Sequence, residues 1–282
     1  MALQDNPIDD AIGRSNPMVE QDRALLPGMT EAVRIAGAHM HTRFYDVPEF
    51  RTRDDVVSAI YANDGASLEY LKPRLTELRP DAGWVEDELE SGPLAGGEWW
   101  VVDPVEGNIN HCHGIPDWAV TATLVRDNAP AVTTVYFPLT NQLYAAVRGG
   151  GATLDGAALR TSTKTEFSGA MVGTGQARPG ESAKTFERIG LSMTAMLNQT
   201  LVVRASVPAT LLLVHVASGR MEAFWQFSQV RSGLLAGALL VSEAGGVVTD
   251  VLGRPWNLDS PNFLAAAPAV HPAAVAVLSS IP

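Results

Sequence analysis

Between Gly28 and Phe44 the apolar residues Met29, Val33, Ile35, Ala36, Ala38 and Met40 recur at helical spacing, which predicts a helix there. Val56 and Val57 follow two aspartates and fit either a strand or a turn, and Ala66 to Leu78 predicts a second helix interrupted at Pro73. Trp99 to Val102 is an apolar run of strand type. Ala119 to Val125, Ala131 to Tyr136 and Gln142 to Val147 then read as successive strands of one sheet, separated by turn residues. Glu181 to Met196 and Thr210 to Gly219 are helical in pattern, and Met221 to Phe227 is strand-like. Leu234 to Ala244 is a further apolar helix, stopped by Gly245 and Gly246. Residues 1–26 are polar and proline-containing and predict an arm or an irregular first turn. Gly149, Gly150 and Gly151 form the clearest break. They divide the chain into an N-terminal α+β subdomain, 1–148, and a C-terminal α/β subdomain, 149–282.

Composition narrows the class. Of the 282 residues 46% are hydrophobic and 18% charged, which suits a compact fold of one large or two intimate domains. The net charge of −11 argues against nucleic-acid binding, and disfavours an anionic substrate unless a cation or local N–H groups offset it. No run has the length of a membrane span, and the N-terminal residues lack a signal peptide's basic and apolar regions. Cys112 is the single cysteine, so no internal disulfide forms and a reducing, cytoplasmic setting is expected.

Candidate chemistry concentrates in the run Trp99 to Asn110. Pro104 and Gly107 predict a loop just after Asp103, which gathers Asp103, the Val105 carbonyl and Glu106 at a strand end. Clustered oxygens of this kind suit a hard cation, and the N–H groups that follow suit a phosphate. The acidic stretch Glu86 to Glu90 is by itself a solvated face, and it gains weight as a ligand source only from its place between Trp84-Val85 and Asp103. His111 lies close in sequence to the same turn, whereas Cys112, expected on the opposite face of an extended segment, is rejected as a ligand.

From about Asp55 to Val277 the chain resembles the inositol monophosphatase family. Asp103 to Asn110 is similar to the family's D-P-[IV]-D-G-T-x-N, and it continues through His113-Gly114-Ile115-Pro116 and Ala119-Val120 as the family does. Gly150 to Gly156 resembles the family's G-x-G-A-x-x-N-G turn, and Ala217 to Arg220 with Phe224-Trp225 resembles its A-A-G-R…[FY]-W segment. Leu235-Ala236-Gly237 through Gly246 is similar, without a gap, to A-A-G-x-x-x-x-x-E-A-G-G. The resemblance implies an α+β fold, a layered αβαβα sandwich with the site between two subdomains, commonly as a homodimer. It also implies Mg²⁺-dependent hydrolysis of small phosphomonoesters.

Carried over by position, the resemblance places the metal ligands at Asp103, Asp87, the Val105 carbonyl and Glu106, with Glu86 as a substitute for Asp87. Several positions depart from the family pattern. Glu106 stands for an aspartate, Asn108 for the water-orienting threonine, Tyr61 for its partner aspartate, Gly233 for a ligand aspartate and Gln226 for a substrate-contacting glutamate. The substitutions gather at the chemistry while the scaffold motifs survive. That points to a cleft repurposed for metal-independent acid–base chemistry on a small molecule: cyclisation, elimination or isomerisation. Tyr61 would be the proton donor, Glu106 the base with Asp103 beside it, and His111 the shuttle. Gly107, Asn108 and Gln226 would bind substrate, with no cofactor required. The alternatives are a Mg²⁺-dependent phosphomonoesterase acting on a small sugar or inositol phosphate, and a non-catalytic pseudoenzyme.

Overall fold

The computed structural model describes residues 16–46, 48–86, 92–177, 180–228 and 231–282. Within the expected N-terminal arm lies a short helix, α1 (Pro17–Arg23), because Asn16 caps it by accepting the Met18 N–H and Pro17 pre-sets its first turn. Helix α2 (Leu26–Arg43) buries Met29, Val33, Ala36 and Met40 of the expected stripe together with Ala32, whereas Ile35 is half-buried and Ala38 exposed. Val56 and Val57 are neither strand nor turn, since they belong to the single helix α3 (Arg53–Leu78). A capping box starts it: Thr52 Oγ1 accepts the Asp55 N–H at 3.2 Å, and Asp55 Oδ2 accepts the Thr52 N–H at 2.8 Å. The backbone N–H groups of Arg51 and Thr52, which both donate to Asp55 Oδ2, hold the Asp55 carboxyl below its usual range. Pro73 lies inside α3 without ending it.

Two sheets follow among the described residues. The first contains β1 (Gly83–Trp84), β2 (Glu98–Glu106), β3 (Ala119–Arg126), β4 (Ala129–Phe137), β5 (Gln142–Val147), β6 (Gly151–Leu154) and β7 (Ala157–Ala158) in chain order. All its neighbours are antiparallel except β1 and β2. The second contains β8 (Met171–Thr174), β9 (Val202–Ala205), β10 (Ala223–Gln226), β11 (Val247–Thr249) and β12 (Phe263–Ala266) in the order β11-β12-β10-β8-β9. The expected boundary between 148 and 149 therefore does not separate the sheets, because the first sheet runs on to Ala158. Gly149 and Gly151 instead donate their N–H groups to Glu243, which ties this turn to the end of α7 (Arg231–Glu243).

The helices complete an α+β sandwich in five layers. Helices α2 and α3 cover one face of the first sheet, and α6 (Ala209–Ala217) and α7 fill the space between the sheets. Helices α5 (Ala183–Leu197) and α8 (His271–Leu278) close the far face of the second sheet. Strand β3 is buried along nearly its whole length because both its faces are covered. Val120, Ala122 and Leu124 pack toward α2 and α3, whereas Thr123 on the opposite face bonds Thr133 of β4 at 2.8 Å. Helix α7 is buried from Arg231 to Val241, and it approaches α6 closely because Gly237 lacks the Cβ that would overlap Leu213. Gly237→Ala is expected to destabilise the protein by about 1–3 kcal/mol through overpacking, seen as a lower melting temperature.

Candidate active site

Asp103 and Glu106 are three residues apart and would face opposite sides of a regular strand. Strand β2 does not end after Asp103, as the turn residues suggested, but runs through Glu106 with its register to β3 shifted between these two residues. Pro104, which has no N–H to give the ladder, sits within the shift. Ser67 of α3 anchors it by donating its hydroxyl to the Pro104 carbonyl at 2.7 Å. The irregularity brings the two carboxyl groups into hydrogen-bond contact. Both residues are buried, Asp103 at 9% and Glu106 at 4% exposure. Burial, then the neighbouring Glu106 charge, then that of Asp64, push the Asp103 carboxyl well above the usual carboxylate range.

Gly107 follows in a left-handed conformation, φ +83°, and starts the short helix α4 (Asn108–Cys112). A Cβ there would lie 2.8 Å from the Asp117 carbonyl and 3.0 Å from Pro208, so conformation and space both require glycine. Asn110 pins α4 to the other half of the molecule by donating to the carbonyls of Asp117 at 2.8 Å and Val207 at 2.9 Å. From there α6 begins, and its Thr210 hydroxyl donates to the Gly233 carbonyl in the first turn of α7 at 3.0 Å. The β2 end, α4, α6 and α7 are thus joined around Glu106.

Helix α3 contributes what the sequence did not single out. Asn108 donates one side-chain N–H to Asp64 Oδ1 at 2.7 Å and the other to the Ile60 carbonyl at 3.0 Å. Its own oxygen accepts from Asn63 Nδ2 at 3.0 Å. The residue paired with Asn108 is therefore Asp64, not Tyr61, whose side chain is 72% exposed and away from this cluster. Asp64 is pushed up to about 6 by burial, a shift that the Asn108 hydrogen bond partly offsets. The missed signal was the capping box at Thr52. Once α3 is one continuous helix, Asn63, Ser67 and Leu71 fall on a single buried stripe, with Asp64 beside it.

His111 does not assemble as a proton shuttle. Its Nε2–H donates to the Met40 carbonyl at 3.0 Å and Nδ1 accepts from Asn63 at 3.1 Å, so both nitrogens are engaged. The ring is packed against Phe44 and Trp118, and burial lowers its pKa. Gln226 is buried at the end of β10 and donates to the Ser228 carbonyl at 2.9 Å. Trp118, Phe224 and Trp225 are core residues. Glu86 is exposed and paired with Lys72 at 3.1 Å, whereas Asp87 lies outside the described residues.

Among the described residues no group of three or more His, Cys, Asp and Glu side chains is arranged to hold a metal ion. The donor chemistry at Asp103 and Glu106 nonetheless suits a hard divalent cation: two buried carboxyl groups in contact, with a third negative charge near them. Without a cation this set destabilises the fold. A carboxyl whose folded pKa is raised costs stability as the pH rises from its unfolded value near 3.8 through the folded value, about 6 for Asp64. Asp64→Asn is expected to stabilise the chelator-treated protein at pH 7.5 by about 1–3 kcal/mol and to have little effect near pH 4. Asp103→Asn should act in the same direction, and thermal melts at the two pH values check both.

The chain is similar to known proteins over most of its length. It is 32% identical over 246 residues to the inositol-1-monophosphatase of Rhizobium meliloti, covering 86% of this chain and 91% of that protein. It is also 32% identical over 200 residues to the Nus factor SuhB of Pseudomonas aeruginosa, covering 71% and 72% of the two chains. Among solved structures, the inositol monophosphatase from Anabaena superposes with a TM-score of 0.76 at 25% identity, over 93% of this chain and 97% of that one. Residues 23–282 match the inositol monophosphatase family as a whole, and the chain belongs to that family.

Proposed function

We propose that this protein is a phosphatase that hydrolyses a small phosphate monoester, of the sugar or inositol phosphate class, with Mg²⁺ as its cation. One observation carries the reading: Asp103 and Glu106 are buried in contact, with the charge of Asp64 near them, a cluster of carboxyl groups whose ionised form a cation would favour. The comparisons support it, since a relative matched over most of its length is named an inositol-1-monophosphatase. They favour it over metal-independent acid–base chemistry. That reading needed Tyr61 as donor and His111 as shuttle, and the one faces solvent while the other is fully hydrogen-bonded.

Asp103, the Val105 carbonyl and Glu106 would hold the cation, with Asp87 as the further ligand that the family resemblance implies. When bound, Mg²⁺ polarises the phosphoryl group and neutralises charge that builds up in the transition state. The protein's own groups do the rest. Asn108 fixes Asp64 through Oδ1, so that Asp64 can orient a water and take its proton as the water attacks phosphorus; the ester P–O bond breaks in the same displacement and the departing alkoxide takes a proton from solvent to leave as the alcohol. Gly107 permits the turn whose backbone N–H groups would bind the substrate's phosphate oxygens. The side chain of Asn108 is occupied in holding Asp64, so its contribution to substrate is the backbone N–H.

Phosphate release from inositol 1-phosphate and a panel of sugar phosphates tests this directly. Release is expected in Mg²⁺ and not in chelator, and Asp64→Asn is expected to lower kcat/KM by about 10²-fold or more. Asp103→Asn should abolish the response to Mg²⁺. Activity should fall on the acid side as Asp64, about 6 in the cation-free protein, takes up its proton. Turnover that is indifferent to Mg²⁺, or no release from any member of the panel, overturns the reading.

A further inference from the structure

Two of the departures read from the sequence, a longer side chain at 106 and none at 233, meet in space. Gly233 stands in the first turn of α7. A Cβ placed on it would lie 3.5 Å from Glu106 Oε1, 3.7 Å from Glu106 Oε2 and 3.9 Å from the Ala209 Cβ. The space in front of that turn therefore already contains a carboxyl group, delivered by the end of β2. An aspartate at 106 would fall about 1.5 Å short of it, one methylene being the difference. Conversely, a side chain of two or more heavy atoms at 233 would enter the volume that Glu106 occupies. The backbone there is fixed, because Thr210 holds the Gly233 carbonyl. The N-terminal end of a 13-residue helix also favours negative charge at that place.

We infer that Glu106 and Gly233 form one functional unit, in which Glu106 reaches from the end of β2 to supply the carboxylate in front of α7 and Gly233 keeps that volume open for it. On the proposed phosphatase reading, on which this inference rests, that carboxylate is a cation ligand. The position can be reached from two backbone points, the end of β2 through a glutamate or the first turn of α7 through an aspartate, but not from both at once. Two carboxylates there would stand in contact with like charge.

Calorimetric titration of the full chain with MgCl₂, together with the shift of its melting temperature by Mg²⁺, tests the inference without relying on turnover. Glu106→Asp should weaken Mg²⁺ binding by roughly 10-fold or more, and the double variant Glu106→Asp/Gly233→Asp should return to within about 3-fold of the parent. Two further variants guard against misfolding. Gly233→Ala adds only an ordinary van der Waals contact and should bind as the parent does. Gly233→Val places branches against Glu106 and should weaken binding by roughly 10-fold. A folded double variant that binds no better than Glu106→Asp overturns the inference. So does Gly233→Val binding like the parent, which also decides the matter if the double variant does not fold. A parent protein that takes up no Mg²⁺ at all overturns the phosphatase reading itself, a separate and recognisable failure.

Discussion

The contact between the carboxyl groups of Asp103 and Glu106 is the constraint around which this molecule is arranged. Two carboxyl groups in a buried setting lose hydration and cannot both ionise without repulsion, so the fold has to force them together. It does so with one irregularity in β2, where Pro104 withdraws an N–H from the ladder and Ser67 holds the displaced carbonyl. The consequences spread outward. Gly107 must turn left-handed to leave the strand, α4 must be stapled by Asn110, and α3 must pass close enough for Asp64 to meet Asn108. Much of the sandwich, including the central position of α7, serves to exclude water from this region.

Stability and chemistry oppose each other here. Burial that raises Asp103 and brings Asp64 to about 6 is unfavourable for the cation-free protein at neutral pH. The same burial raises the attraction for a divalent cation and leaves Asp64 able to exchange a proton near neutrality. The polar residues behind the site follow the same logic. Asn63 engages Asn108 and His111 together, so a histidine that looks reactive in the sequence acts as a bracket for the amide that holds Asp64.

The family membership and the altered residues are compatible once the changes are seen as coupled. Asn108 in place of a hydroxyl residue still orients Asp64, through an amide hydrogen bond of 2.7 Å. Glu106 reaches the space that a side chain at Gly233 would enter. Read one position at a time, each change looks like a loss; read as contacts, they describe a site whose groups reach the same region from different backbone points.

Sequence by itself determined the sheet strands from Ala119 to Val147 and the helices α2, α5, α6 and α7, and it singled out Asp103 and Glu106, which the fold buries in contact. Those features follow from local periodicity and from a turn of unusual composition, both visible within a few residues. The extent of α3 was legible too, in Thr52 and Asp55, but Pro73 and the adjacent valines Val56 and Val57 obscured it. Tertiary structure alone decided that Asp64 rather than Tyr61 faces Asn108, since Tyr61 lies on the side of α3 opposite the Asn63–Ser67 stripe and Asp64 beside that stripe, and only packing fixes which side of α3 is buried. It alone decided that His111 is spent on hydrogen bonds and that Glu106 fills the space at Gly233, because both depend on residues far apart in the chain. A residue type announces what chemistry is available, and the contacts made across the fold decide where that chemistry is directed.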